Sequence, residues 1–225
     1  MIAKILPSTV VAVEAREDRD DIQLFPEEQA VLARSVEKRR REFATARDCA
    51  HLALRRLGLA PAPVTSGPRG EPRWPAGIVG SITHCTGYRA CALARVDDLP
   101  TIGIDAEPNQ PLPDGVLAAI ARPEELARVM RLAHARPEVC WDRLLFSAKE
   151  SIYKAWFPLT GISLSFEDAT LDFDVQVGSF SAHIASRGAR ATRPRPRELA
   201  GRWLAHDGLI LTAVAPSNAE FVRAG

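Results

Sequence analysis

The segment Thr101-Ile-Gly-Ile-Asp-Ala-Glu-Pro108 is a short apolar run that ends in two acids one residue apart. A β-strand turns alternate side chains to one face, so we expect Asp105 and Glu107 to point the same way, about 7 Å apart at Cα, with Ala106 pointing away. Such a pair of carboxylates can hold a hard divalent cation through oxygen. The simpler interpretation of the pair alone is an acidic strand end that runs into a turn at Pro108.

A third acid and a lysine lie further along the chain, on a helix predicted over residues 138–157 and ended by Pro158. The apolar stripe of this helix consists of Leu145, Ala148, Ile152 and Trp156. Glu150 and Lys154 are one turn apart on a different side, so they face the same way. Taken alone, they are typical of a surface ion pair, which contributes only about 0.3 to 0.5 kcal/mol.

Basic residues form a group that can bind anions. A helix predicted over residues 36–57 carries Lys38-Arg-Arg-Arg41 and Arg47, and helical spacing places Arg40 and Arg47 on nearly one face. Two interpretations of this arrangement remain open, a phosphate-binding surface and a solvated basic face.

A long loop follows this helix. Residues 60–77 contain five prolines and three glycines, a composition that excludes regular structure. Within the loop, Arg69-Gly-Glu-Pro72 either places backbone and a cation against a ligand or forms a simple surface turn. His84 lies where a strand predicted over residues 78–84 meets a turn, and a lone histidine at such a position is more often structural than functional.

The pattern of elements predicts an α+β fold. Two strand-like runs within residues 78–96, together with residues 102–107, indicate a three-stranded antiparallel sheet packed on the first long helix. In the second half, alternating runs over residues 164–173 and 180–185 and a hairpin around Asp207-Gly208 indicate antiparallel strands beside the second long helix. We therefore predict two similar subdomains, over residues 1–102 and 103–225, each a small antiparallel sheet packed against a long helix.

Composition and motifs exclude several classes of function. A net charge of +1 over 225 residues gives no overall field that would attract nucleic acid or a membrane surface. The sequence has neither a long apolar run nor a signal peptide, so we expect a cytoplasmic protein. The common phosphate-loop, dinucleotide, zinc-protease and serine-hydrolase motifs do not occur. The remaining acids and cations suit metal-assisted phosphoryl chemistry, in which Mg²⁺ takes substrate phosphate oxygens as ligands.

Two motifs carry a resemblance to a known family. Gly103-Ile-Asp-Ala-Glu107 and, further along, Phe146-Ser-Ala-Lys-Glu-Ser-Ile-Tyr-Lys154 resemble the paired signature G-[IV]-D-x-E and [FW]-x-x-K-E-[SA]-x-x-K of the 4′-phosphopantetheinyl transferases. Ser81-Ile-Thr-His84 and the Gly-Glu-Pro-x-Trp-Pro loop at residues 70–75 resemble the amino-terminal half of the larger, pseudo-dimeric members, which include the enterobactin-synthase type and the mycobacterial type.

The resemblance implies a transfer reaction. Coenzyme A would donate its phosphopantetheine arm to a serine hydroxyl of an apo acyl carrier or peptidyl carrier protein and release adenosine 3′,5′-bisphosphate. Asp105, Glu107 and Glu150 would hold Mg²⁺ on the pyrophosphate. Lys154 would meet the charge on the phosphates. Because a serine hydroxyl is a poor nucleophile at neutral pH, a base must take its proton, and Glu150 is the candidate, either directly or through a metal-bound water.

Further contacts with coenzyme A follow from the same resemblance. They are implied for Arg39, Arg47, Arg69, Gly70, Glu71, Pro72, Thr83 and His84, in addition to Asp105, Glu150 and Lys154. Motif alignment favours Arg39, whereas helical geometry pairs Arg40 with Arg47, so both remain candidates. Some relatives carry at the position of Ala106 a side chain that approaches the metal, and we expect alanine to leave that place to water.

The partner is expected to be acidic, because carrier proteins generally are acidic along the helix after their serine. Residues 187–202 are rich in arginine and would supply docking charge, and residues 109–133 would supply apolar contact. We expect a functional monomer. Two other functions remain open: a coenzyme A-binding or carrier-binding module without catalysis, and a different Mg²⁺-dependent phosphoryl transferase.

Overall fold

The computed structural model describes residues 1–32, 36–185 and 196–218. The strands are β1 (Val11–Ala15), β2 (Ile78–Cys85), β3 (Tyr88–Arg95), β4 (Gly103–Pro108), β5 (Ala169–Asp174), β6 (Ser179–Ile184), β7 (Glu198–His206) and β8 (Leu209–Val214). The helices are α1 (Pro26–Val31), α2 (Glu37–Arg56), α3 (Val116–Ile120), α4 (Pro123–Ala135) and α5 (Trp141–Thr160). Short 3₁₀ turns occur at Ile2–Ile5 and Phe166–Asp168.

The amino-terminal half is a three-stranded antiparallel sheet covered by α2. The strand order is β1-β3-β2. Apolar residues at threes and fours along α2, including Ala46, Ala50 and Leu54, form the buried face of the helix. This face packs on Val13 of β1 and Leu93 of β3. The predicted helix over residues 36–57 is confirmed to within one residue at each end.

The carboxy-terminal half is a five-stranded antiparallel sheet covered by α5. Its strand order is β4-β8-β7-β6-β5. The predicted stripe of α5 is buried, and Trp141 at the start of the helix packs edge-on against Trp203 of β7 with ring centroids 5.4 Å apart. The predicted α+β class, with antiparallel sheets packed on long helices, is confirmed.

One predicted pairing is wrong. β4 is not the third strand of the first sheet; β1 takes that place on the free edge of β3, from Val11 opposite Leu93 to Ala15 opposite Arg89. β4 pairs with β8 as the edge of the second sheet. The physical reason is that two backbone N–H groups of β4 donate to side-chain hydroxyls of β2, and not to its backbone carbonyls.

These hydroxyls join the two sheets. The N–H of Ile104 donates to Ser81 Oγ over 3.1 Å, and the N–H of Ala106 donates to Thr83 Oγ1 over 2.9 Å. A core shared by both halves lies behind this seam, built from small side chains of β3 and larger ones from β8, from β4 and from the residue before β4, namely Ala90, Ala92, Ala94, Ile102, Ile104 and Leu211. The two halves therefore pack as one body through β2 and β4.

Two predicted boundaries in the second half are also wrong. Pro158 does not end α5, which continues to Thr160 and is capped by Gly161 with φ 67°. Because a proline lacks only its own N–H, it is tolerated in a final turn that stops two residues later. The strand predicted over residues 164–173 begins only at Ala169, after a 3₁₀ turn that Ser165 and Asp168 cap.

Candidate active site

Gly103 determines how closely α5 approaches β4. A Cβ atom at this position would lie 2.0 Å from the carbonyl oxygen of Ser151 and 2.7 Å from the backbone nitrogen of Ala155. Thr101 extends the contact, since its hydroxyl donates to the carbonyl oxygen of Ala155 over 2.7 Å. Gly103, Asp105 and Glu107 alternate along β4, so the face that meets the helix also carries the two acids.

Asp105 is buried at the centre of this contact. Its Oδ1 accepts hydrogen bonds from Lys154 Nζ over 2.6 Å and from Thr83 Oγ1 over 3.3 Å. Lys154 also donates to the carbonyl oxygen of Ile104 over 3.2 Å. The other carboxylate oxygen, Oδ2, is buried and has no hydrogen-bond partner among the described residues. A buried carboxylate oxygen in that position is an unmet acceptor for a cation.

Glu107 is paired with a residue that the sequence analysis missed. Arg143 Nη1 donates to Glu107 Oε2 over 2.9 Å, and the same guanidinium donates to the carbonyl oxygens of Gln110 and Pro111. Burial raises the pKa of Glu107, the charge of Asp105 adds to this rise, and Arg143 opposes it. The spacing from Arg143 to Glu150 is seven residues on one helix, so helical periodicity could have pointed to it.

Glu150 lies on α5 one turn before Lys154. Burial raises the pKa of its carboxyl; the positive charge of Lys154 opposes that rise, and the negative charge of Asp105 adds to it. In the described part of the chain, the Glu150 carboxylate makes no hydrogen bond, unlike Asp105 and Glu107. It is therefore the acid of the three that is left for a substrate group.

The three acids interact, yet they do not form a preformed metal cage. In residues 1–32, 36–185 and 196–218, no group of three or more His, Cys, Asp or Glu side chains has the arrangement of a metal site. Lys154 pairs with Asp105, and Arg143 pairs with Glu107.

Ala106 does not leave a gap beside the acids. Its side chain is fully buried in the core shared by the two halves, on the face of β4 opposite Asp105. The expectation that water takes this place is therefore wrong, because the residue points away from the acidic face.

A cleft of about 540 Å³ opens beside Glu150 and Lys154. It lies between α2, the 60–77 loop, β2 and α5. Its lining includes the sequence-predicted residues Arg39, Arg47, Arg69, Gly70, Glu71, Pro72, His84, Glu150 and Lys154. The structure thus brings together nine residues from four separate segments of the chain.

Arg39, not Arg40, reaches this cleft. Arg39 contacts the imidazole of His84, whereas Arg40 is exposed on α2 and does not line the cleft. Burial lowers the pKa of His84, and the neighbouring Arg39 charge lowers it further. Helical spacing favoured Arg40, because it shares a face of α2 with Arg47. The cleft is wide, however, and long side chains from more than one face of the helix can reach it.

Arg47 is held firmly in the wall of the cleft. Its guanidinium lies over the ring of Phe43, 4.1 Å from the centroid, and its Nε donates to the carbonyl oxygen of Val64 over 2.8 Å. Burial lowers the pKa of Arg47. Thr83, by contrast, does not line the cleft. Its hydroxyl bonds to Asp105 and to the N–H of Ala106, so the geometry gives Thr83 a positioning role toward the acid.

A second, smaller cavity of about 270 Å³ adjoins the first and shares Arg69, Glu150 and Tyr153 with it. Leu164, Phe166 and Ala169 supply apolar lining. The lining also includes the buried Lys149, for which the sequence predicted no role.

Lys149 ties together the elements around this cavity. Its Nζ lies within 2.9 Å of four oxygens: the carbonyl oxygens of Ile120, Phe166 and Ala169, and Glu125 Oε2. Both members of the Lys149–Glu125 pair are buried, with side chains 2% and 1% exposed. The first lysine of the motif is therefore a structural centre that fixes α3, α4 and β5 around α5, while the second lysine, Lys154, faces the acids.

Comparison with known proteins identifies the class. The sequence model of the 4′-phosphopantetheinyl transferase N-terminal domain matches residues 27–94, and that of the 4′-phosphopantetheinyl transferase superfamily matches residues 101–203. The chain belongs to the 4′-phosphopantetheinyl transferase superfamily. The resemblance inferred from the two motifs is confirmed.

Similar curated proteins include both types expected from the sequence. The chain is 52% identical to 4′-phosphopantetheinyl transferase Svp of Streptomyces mobaraensis over 96% of this chain and 89% of that protein. It is 46% identical to 4′-phosphopantetheinyl transferase PptT of Mycobacterium tuberculosis over 95% of this chain and 97% of that protein. Identity to enterobactin synthase component D of Salmonella typhimurium is 28%, over 79% and 72% of the two chains.

The protein is accordingly an enzyme, a 4′-phosphopantetheinyl transferase that modifies carrier proteins with coenzyme A as its substrate. Among the described helices, none is both long and apolar enough to cross a membrane.

The role assigned to Lys149 makes a prediction about stability. Lys149→Met leaves the Glu125 carboxylate buried without its cation, so we expect the free energy of unfolding to fall by about 3 to 5 kcal/mol in urea denaturation. The double variant Lys149→Met with Glu125→Leu should recover only part of this loss, since it removes the unpaired charge but leaves the backbone groups that Lys149 and Glu125 bond without these partners. The exposed Lys4→Met is the matched control. A single variant as stable as the control would contradict the structural role.

Proposed function

We propose that the chain transfers the 4′-phosphopantetheine arm of coenzyme A, with Mg²⁺, to the serine of apo acyl carrier or peptidyl carrier proteins, and releases adenosine 3′,5′-bisphosphate. One observation supports the chemistry best. The buried Asp105 pairs with Lys154, and Lys154 and the Glu150 carboxylate, which no other described residue bonds, line a cleft together with Arg39, Arg47 and Arg69. Phosphate recognition and proton transfer are thereby available side by side.

The charge distribution of the cleft suits the nucleotide end of coenzyme A. Arginines supply planar, permanently charged donors for phosphate oxygens. Arg39, in contact with the His84 imidazole, supplies positive charge suited to the 3′-phosphate, and Arg47 and Arg69 bring further positive charge to the wall. The smaller cavity, lined by Tyr153, Leu164 and Phe166, suits the less polar pantetheine arm. Glu150 borders both cavities, where the bond to be broken would lie.

The acids fit a magnesium ion. Asp105 Oδ2 is a buried acceptor without a partner, and the charge of Asp105 acts to raise the pKa of both Glu107 and Glu150. A hard cation bound by these oxygens would offset their excess negative charge. Asp105, Glu107 and Glu150 would hold the ion, and when bound it would supply positive charge to the diphosphate of coenzyme A.

The reaction itself needs a base. A serine hydroxyl is a poor nucleophile at neutral pH, so its proton must be removed as its oxygen attacks the β-phosphorus. Glu150 accepts this proton, since its carboxylate borders the cleft and makes no hydrogen bond to another described residue. The new bond joins the serine oxygen to phosphorus, and the bond from phosphorus to the bridging oxygen breaks.

The leaving group carries the developing charge. Adenosine 3′,5′-bisphosphate departs with the electron pair of the broken bond, and a fixed cation nearby stabilises it. Lys154 has this role, because its hydrogen bonds to Asp105 and Ile104 hold the ammonium group at the end of the cleft.

Other features of the protein remain proposals. We place the boundary of the two subdomains between residues 102 and 103, consistent with sheets that share no backbone ladder. We propose a functional monomer, as expected from the two-subdomain pattern of the sequence. The arginine-rich docking segment predicted over residues 187–202 lies mostly outside the described residues; within its described part, Arg197 and Arg202 are exposed. Met130 of α4, 66% exposed, belongs to the predicted apolar docking region. A cytoplasmic location stays a prediction.

The reaction can be tested by weighing the carrier. After incubation with coenzyme A, Mg²⁺ and an apo carrier domain, we expect the carrier to gain one phosphopantetheine group by mass spectrometry, and we expect chelation of Mg²⁺ to abolish the gain. Binding of coenzyme A without any mass gain would support a non-catalytic module instead. Full activity in the presence of chelator would contradict the role of the metal.

The roles of Glu150 and Asp105 can be distinguished by substitution. Glu150→Gln removes the base but keeps its shape, so kcat should fall by about 100-fold or more while coenzyme A still binds. Asp105→Ala removes the buried acceptor, so Mg²⁺-dependent binding of coenzyme A, measured by calorimetry, should be lost. Asp98→Ala, at an exposed turn position outside the predicted docking regions, is the control for both. Near-normal transfer by either variant would refute the role assigned to that residue.

A further inference from the structure

A buried carboxylate outside the acidic site controls one wall of the cleft. Glu28 of α1 is 0% exposed, although glutamate is rarely buried without a specific partner. Its Oε1 lies 3.0 Å from His51 Nε2 of α2 and accepts the N–H of Val64 over 2.8 Å, while its Oε2 accepts the N–H of Phe25 over 3.1 Å. A single side chain thus links α1, α2 and the start of the proline-rich loop.

Val64 is held on both sides of its backbone. Glu28 takes its N–H, and Arg47 Nε donates to its carbonyl oxygen over 2.8 Å. The Val64 side chain is fully buried in the amino-terminal core. Because both polar groups and the side chain are fixed, this residue is an anchor point in a segment with no regular structure of its own.

The turn that begins at the next residue forms part of the cleft. Arg73 donates its N–H to Thr65 over 2.8 Å, and Gly67 donates its N–H to Glu71 over 2.7 Å. These bonds make residues 65–73 a closed turn. The turn presents Arg69, Gly70, Glu71 and Pro72 to the cleft, so its position follows from how Val64 is held.

Glu28 also acts on Arg47. Burial lowers the pKa of the Arg47 guanidinium, and the charge of Glu28 opposes that effect. The same carboxylate therefore supports two parts of the wall, the turn through Val64 and the buried arginine through its charge.

We propose that Glu28 is a positioning residue for coenzyme A, which anchors Val64 and thereby sets the 65–73 turn and Arg47 against the bound nucleotide. Glu28 lies away from Glu150 and Lys154 and touches no reacting group. Its effect falls on substrate affinity, whereas the chemical step is left to the acidic site. This inference rests on the proposed placement of coenzyme A in the cleft.

The test separates affinity from turnover. Glu28→Ala should raise the KM for coenzyme A by about 10-fold or more while kcat changes by less than about 3-fold, because misplaced binding groups weaken ground-state binding without removing the base. Glu28→Gln keeps one acceptor for Val64 and should give an intermediate KM. Glu27→Ala, an exposed neighbour on the same helix, is the matched control and should leave both constants unchanged.

Hydrogen exchange without coenzyme A reports on the anchor directly. In Glu28→Ala, amide exchange in residues 64–73 should accelerate relative to the Glu27→Ala control. Unchanged exchange would overturn the anchor itself. Accelerated exchange with an unchanged KM would overturn its link to coenzyme A and would point to binding of the nucleotide elsewhere. A fall in kcat at constant KM would also contradict the inference. If Glu28→Ala does not fold, the same measurements on Glu28→Gln decide the question.

Discussion

The close packing of α5 on β4 is the constraint on which the active site depends. The site needs a lysine and a glutamate from a helix within reach of acids on a strand, and any ordinary side chain at Gly103 would hold the two elements apart. Hydrogen bonds from Thr101 to Ala155 and from Thr212 to Ser147, the latter over 2.9 Å, fix the helix at this short distance. The resulting 2.6 Å contact between Lys154 and Asp105 is a consequence of backbone packing as much as of charge.

A second constraint is the seam between the halves. Ser81 and Thr83 satisfy two N–H groups of β4 that would otherwise be buried without partners. Thr83 also bonds to Asp105, so the same hydroxyl that joins the halves orients the central acid. The cleft lies along this seam: its arginines come from α2 and the 60–77 loop in one half, and Glu150 and Lys154 come from α5 in the other. Buried polar groups at Lys149 and Glu28 then stabilise the walls on either side.

Local patterns predicted much of this arrangement. The alternation of Asp105 and Glu107, the helical spacing of Glu150 and Lys154, and the turn at Asp207-Gly208 each depend on neighbours in the sequence, and the structure has each of these local features. The motif pair then gave the family. The long-range features were less accessible. The partner of β4 is β8, more than 100 residues away, and nothing local distinguishes it from β2.

The same reasoning explains the residues that were missed. Glu28 reads as one acid in an acidic first turn, and its burial against Val64 depends on the path of a loop without regular structure. In the sequence, Lys149 resembles any other charged helical residue, because its burial depends on α3, α4 and β5, which pack around it only in the folded protein. Thr83 and His84 are adjacent in the motif but point to opposite sides of β2, so one supports Asp105 and the other reaches the cleft.

The most direct test of the account is the catalytic efficiency of Gly103→Ala, measured as kcat/KM for phosphopantetheine transfer to an apo carrier domain. The added methyl group has to push α5 away from β4, because backbone atoms of Ser151 and Ala155 occupy its place. We expect kcat/KM to fall by about 100-fold in a protein that still folds, since displacements near 1 Å have such effects on assembled sites. A folded variant with an efficiency close to that of the parent protein would contradict the account.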